Sequence, residues 1–92
     1  MKNSKNIFTP TKDMWYIYFN FYTNNQNDIN NFKKELKSNY SFIIGFKEKD
    51  ILFNSKQLLV YVTSKDETEK LKNENTLKLY QKYVGNGGYQ SE

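Results

Sequence analysis

The sequence predicts a single small α+β domain, a two-layer sandwich with the order β-α-β-β-α. Three observations carry that prediction. From Met14 to Thr23 every residue except Met14 and Asn20 is aromatic or β-branched, and none is charged, which is the composition of a strand. Two later segments place apolar residues at helical spacing: Ile29, Phe32 and Leu36 in one, Leu71, Leu77, Tyr80 and Val84 in the other. Between them the apolar residues alternate, with Tyr40, Phe42, Ile44 and Phe46 in one run and Leu58, Val60 and Val62 in the next.

Taken in order, residues 1–13 read as a flexible polar arm. Pro10 holds Thr9 extended, and Ile7 and Phe8 are the side chains able to pin the arm to the domain. The domain proper spans 14–85. Its first strand, about 14–23, has two unlike faces. Trp15, Ile17, Phe19 and Phe21 form a core face; Tyr16, Tyr18, Asn20 and Tyr22 form the other. A loop, Asn24-Asn-Gln-Asn27, leads into a helix over about 28–38, capped by Asn27 or Asp28. Its narrow apolar stripe covers one side of a sheet, and Lys33, Lys34 and Lys37 face away.

The second strand is expected over Tyr40–Lys47, with Ser41, Ile43, Gly45 and Lys47 on the side opposite its apolar face. Glu48-Lys49-Asp50 reads as a charged turn. Residues 51–54 are either a short strand of their own, giving β-α-β-β-β-α, or the bulged start of the third strand. That third strand runs Gln57–Thr63, with Leu59, Tyr61 and Thr63 facing away from the core. Ser64-Lys-Asp-Glu67 is a capping box that opens a long helix over about 65–84. Asp66, Glu67 and Glu69 crowd its first turns and Lys78 and Lys82 its last, as the helix dipole favours. Gly85-Asn-Gly-Gly88 terminates it, and 86–92 form a tail.

A right-handed crossover puts the first helix on one face of the sheet, and the second helix joins it there. The arrangement resembles a ferredoxin-like fold without its last strand. The first strand is then a sheet edge and the far sheet face is bare. That face displays Tyr16, Tyr18, Tyr22, Ile43, Leu59 and Tyr61, with Lys47 at its margin.

Composition narrows the chemistry. The chain has 92 residues, no Cys and no His, and all 14 basic residues are lysine. These absences remove thiolate and imidazole chemistry, the usual transition-metal ligands, and the guanidinium fork that clamps phosphate. No nucleophile–base pair stands out, and Glu48 and Asp50 are too few for a calcium loop. The glycine run at 85–88 is not a phosphate loop, because it follows a helix instead of opening one. The expectation is a protein without catalysis, cofactor or metal. No apolar run is long enough to cross a membrane, and the first residues lack the apolar core of a signal peptide, so a cytoplasmic location is expected. Abundant Asn, Lys, Ile and Tyr without Ala or Arg point by composition to a low-GC bacterium or one of its mobile elements.

The bare tyrosine face carries the functional expectation. A contiguous apolar patch with polar tips marks a protein interface, and the net charge of +4 suits a partner that is acidic or associated with nucleic acid. The expected role is therefore an inhibitor or adaptor of the phage or mobile-element type. It would act through Tyr16, Tyr18, Tyr22, Ile43, Lys47, Leu59 and Tyr61 and through the edge of the first strand, and a homodimer through that edge is compatible with the pattern. The alternative is a single-stranded nucleic-acid binder that stacks bases on Tyr16, Tyr18 and Tyr61. Against it, Gln57-Leu-Leu-Val-Tyr61 lacks the glycine-interleaved aromatic run of RNA-recognition domains. Residues 28–84 also share the α-β-β-β-α order of double-stranded-RNA-binding domains, but the acidic Lys65-Asp-Glu-Thr-Glu69 would repel phosphate at the last helix.

Overall fold

The structure, a computed structural model, describes residues 8–22, 26–51 and 55–84, together with the backbone pairing of 90–91. Its elements follow the order β1 (Trp15–Phe21), α1 (Gln26–Asn39), β2 (Gly45–Ile51), β3 (Ser55–Val62), α2 (Lys65–Leu71), α3 (Glu74–Val84) and β4 (Gln90–Ser91). The strands form one antiparallel sheet in the order β2-β3-β1-β4. β1 pairs with β3 along its whole length, from Trp15 opposite Val62 to Phe21 opposite Lys56.

One face of this sheet builds the core. Ile17, Phe19 and Phe21 of β1 and Leu58, Val60 and Val62 of β3 are fully buried against Ile29, Phe32 and Leu36 of α1, Leu71 of α2, and Leu79 and Tyr80 of α3. Aromatic rings from sheet and helices meet within the core. Phe32 packs edge-on to Phe19 at 5.0 Å and to Phe21 at 5.5 Å, and Tyr80 packs on both phenylalanines at 5.3 and 5.5 Å. Each such pair contributes about 0.5–1.5 kcal/mol beyond its buried area. The fold is thus a small α+β domain with helices over one sheet face, as the two unlike faces of β1 predict. Trp15, expected in the core, stands at the first position of the strand and remains 46% exposed. Among the described residues no helix is long and apolar enough to cross a membrane.

Four local expectations are corrected. The second strand does not begin at Tyr40. α1 runs on to Asn39, and residues 40–44 form a turn in which the Ile43 N–H donates to the Tyr40 carbonyl at 3.1 Å. The Lys37 ammonium donates to the Ile43 carbonyl and fixes that turn. Glu48, Lys49 and Asp50 are not a turn but the middle of β2, each with a partner residue on β3. Their charges are tolerated in a strand because Lys33 lies 2.7 Å from Glu48, and Lys56 lies 3.7 Å from Glu48 and 3.5 Å from Asp50. Ile51 therefore belongs to β2, while 52–54 fall outside the described residues.

The third correction concerns the long second helix, which is two helices. Asn73 interrupts it by accepting the Thr76 N–H at 2.9 Å through its side-chain oxygen, the geometry of an N-cap. Its amide also donates to the Lys70 carbonyl at 2.6 Å and to Tyr40 Oη at 3.1 Å. Ser64 caps α2 by accepting the Glu67 N–H, while the Glu67 carboxylate reaches back to the Thr63 N–H, one residue before the cap. Fourth, the sheet does have a last strand. β4 is two residues long and sets Ser91 opposite Ile17 and Gln90 opposite Tyr18. β1 is therefore interior at these positions, not a free edge. The glycine run at 85–88, expected to end the helix, lies outside the described residues.

Candidate binding face

In an antiparallel ladder, residues directly opposite one another share a face. The register therefore defines what lies on the sheet side away from the helices. Tyr16 is opposite Tyr61, Tyr18 opposite Leu59, and Asn20 opposite Gln57. Gly45, Lys47 and Lys49 of β2 extend the same rows beyond Tyr61, Leu59 and Gln57. The alternation that buries Ile17, Phe19 and Phe21 thus forces the tyrosines outward.

This face has three rows. The first is aromatic: the rings of Phe8, Tyr61 and Tyr16 follow one another at 5.3 Å centroid spacing, tilted by 51° and 46°. Phe8, from the arm, lies over Gly45, where a Cβ would stand 2.5 Å from its Cγ. Only a glycine lets the ring settle there. Under Phe8 and beside Tyr16, Tyr61 keeps just 9% of its surface exposed. The second row, Tyr18, Leu59 and Lys47, runs from half-buried to exposed. The third is polar, with the Gln57 amide donating to the Asn20 side-chain oxygen at 3.2 Å and Lys49 exposed at its end. None of the residues of β1, β2 and β3 on this face is a carboxylate, and among them Lys47 and Lys49 carry its formal charge.

The predicted site residues divide accordingly. Tyr16, Tyr18, Leu59, Tyr61 and Lys47 come together. Ile43 does not join them: it is fully buried in the core, because the turn at 40–44 shifts the strand start and rotates Ile43 inward. Tyr22 also leaves the group. It follows the last residue of β1, is 71% exposed, and lines a groove of about 250 Å³ with Asp28, Tyr83 and Val84 of the helical layer. Sequence reasoning missed Lys49, assigned to a turn, and it placed Asn20 on this face without its partner Gln57, because their hydrogen bond needs the strand register to be known. It also missed the seat of Phe8. The signal available was a glycine at position 45 inside an alternating apolar run, which marks a close approach.

The carboxylates of β2 lie on the other side, facing α1. Burial alone would raise the Glu48 carboxyl, but the Lys33 ammonium and the Gln26 amide, both bonded to it, hold it below the usual carboxylate value. Glu35 of α1 is lowered by the hydroxyl of Tyr83 and by Lys82, which together tie α1 to α3. Burial pushes the Tyr80 phenol up to about 12, and the neighbouring Tyr22 adds to the effect. Its hydroxyl donates to the Asn20 carbonyl, fixing α3 against β1. Glu48 with Lys33 and Tyr80 with Asn20 thus join helices to the sheet, and Glu35 joins one helix to another. Among the described residues no three carboxylates gather as metal ligands would.

No family model matches this chain, and neither the curated proteins nor the solved structures contain a match to it.

Proposed function

We propose that the chain is a non-catalytic interaction protein, an inhibitor or adaptor that binds an acidic protein partner through the open sheet face. The observation that carries this reading is the pairing of Tyr16, Tyr18 and Leu59 with Lys47 and Lys49 on a face free of strand carboxylates. Tyrosine gives large contact area with a polar tip and little rotamer entropy to lose, which suits a protein interface. The lysines attract a partner whose surface is acidic, including one that mimics or handles nucleic acid. The phage or mobile-element setting, the low-GC host and the cytoplasmic site of action belong to the same proposal. So does the finer fold: the strand order β2-β3-β1-β4 with both helical segments on one face is that of a ferredoxin-like domain.

A second reading, single-stranded nucleic-acid binding, is favoured by one specific observation. Tyr16 and Tyr61 sit opposite each other on the two central strands, beside lysines at alternate positions of β2. Against it, Tyr61 is already packed by Phe8 and Tyr16 and offers no open ring face. Titration with oligo-dT and oligo-U decides between the readings. The proposal expects no salt-dependent quenching of tyrosine or tryptophan emission. Steeply salt-dependent quenching that is lost in Tyr16→Ala would establish the second reading instead.

A further inference from the structure

The outer edge of β2 supports an inference that shares Lys47 and Lys49 with the open face but uses none of its tyrosines. Among the described residues β2 pairs only with β3, and none of them pairs with its other edge. The side chains along this edge are sorted by sign. Glu48 and Asp50 point to the helix side and are compensated there by Lys33 and Lys56. Lys47 and Lys49 point to the open side, are exposed, and form no ion pair among the described residues. A groove of about 230 Å³ lies along the same edge, lined by Phe8, Lys33, Phe46, Lys47 and Glu48.

An unpaired strand edge offers backbone donors and acceptors to an incoming chain, and the cross-strand side chains select its sequence. We infer that β2 accepts an extended acidic peptide as an added antiparallel strand. The peptide places Asp or Glu opposite Lys49 and again opposite Lys47, then an apolar residue opposite Phe46 in the groove. Its pattern is acidic, any residue, acidic, apolar. Two other occupants fail on charge. If two copies of β2 pair antiparallel about residues 47, 48 or 49, the central registers of this strand, a lysine opposes a lysine. The arm sequence before Phe8 carries Lys2 and Lys5 and no carboxylate, so Lys47 and Lys49 repel it as well. The same lysines that block self-pairing thus select an acidic strand.

The test uses the full chain, isotope-labelled, and a blocked hexapeptide, Thr-Glu-Thr-Glu-Val-Thr. Amide shifts should move along Gly45–Ile51, β2 amides should exchange more slowly, and affinity should fall with salt. The peptide with Lys in place of both Glu should not bind. Lys47→Glu with Lys49→Glu should reverse that preference, weakening the Glu peptide by about tenfold and admitting the Lys peptide. Tyr16→Ala with Tyr18→Ala should leave peptide binding unchanged, which separates this site from the open face. The inference is overturned if the Glu peptide leaves β2 unshifted, or if a backbone N-methylated version binds equally well and so needs no strand pairing. It is also overturned if oligo-dT occupies Lys47 and Lys49 while the peptide does not. Because the peptide charge swap is made on the unsubstituted protein, the result does not hinge on the folding of any variant.

Discussion

The ring of Phe8 occupies the space that a side chain on Gly45 would require. This contact joins the arm to the open sheet face and closes over Tyr61. It predicts that Gly45→Ala displaces Phe8 but leaves the core alone, since the arm can swing away at little cost. Chymotryptic cleavage after Phe8 should accelerate, while global stability falls by no more than about 1–2 kcal/mol. An arm as resistant as that of the unsubstituted protein would contradict the assignment.

Ile43 and Ile44 are neighbours with opposite environments. Ile43 is fully buried, while Ile44 is 37% exposed and donates its N–H to the Tyr61 carbonyl at 2.9 Å. Ile43→Ala should cost about 2–5 kcal/mol. Ile44→Ala should cost about 1 kcal/mol or less, since most of its contribution is backbone. Urea unfolding of the two variants checks the order. The reverse order would restore a strand over Tyr40–Lys47 with Ile43 on the open face.

Asn73 separates α2 from α3, and its side chain has three partners: the Thr76 N–H, the Lys70 carbonyl and Tyr40 Oη. Asn73→Ala should destabilise the domain by about 0.5–2 kcal/mol through loss of the cap. Asn73→Asp keeps the acceptor and should recover part of that loss. Equal effects of the two substitutions would mean that the cap contributes nothing.

Ile43 and Asn73 mark where the sequence pattern stops being legible. Strong period-2 and period-3.6 patterns located the core of β1, β3 and α1, because burial on one face leaves a repeating mark. The turn at 40–44 left none. Tyr40, Phe42 and Ile44 alternate by coincidence, and the deciding contact, Lys37 to the Ile43 carbonyl, is a side chain reaching the backbone. The helix break is written in Asn73, but an asparagine inside an amphipathic run is ambiguous until its partner Tyr40 is placed. β2 was obscured for a third reason. Its Glu48-Lys49-Asp50 looks like a turn unless Lys33 and Lys56, from two other elements, are known to be beside it. Of the candidate face, alternation alone placed Tyr16, Tyr18, Leu59 and Tyr61. The register was needed to add Lys49 and to remove Ile43 and Tyr22.

Two groups make stability depend on pH in opposite directions. Glu48 is held below the ordinary carboxylate value of 4.5 in the folded state. Its contribution is therefore present above that value and is lost as pH falls through the lower folded pKa. Tyr80 is raised from 10.0 to about 12, so its contribution is complete below 10.0 and is lost as pH rises toward 12. Glu48→Gln should flatten the acid limb of the urea midpoint against pH, and Tyr80→Phe the alkaline limb. At neutral pH, Tyr80→Phe should also cost about 1 kcal/mol for the hydrogen bond to Asn20. Unchanged limbs would show that neither group is linked to folding.

The proposed activity is the binding of an acidic protein by the tyrosine and lysine face. Its most direct test is affinity capture from a nuclease-treated lysate of a low-GC bacterium, comparing face variants with a helix-side control. One acidic protein should be captured stoichiometrically by the unsubstituted chain and by Lys34→Glu, a substitution at an exposed position of α1. Tyr16→Ala with Tyr18→Ala, and separately Lys47→Glu with Lys49→Glu, should lose that protein while staying folded by circular dichroism. Capture that disappears with nuclease, or that survives both pairs of face substitutions, would contradict it.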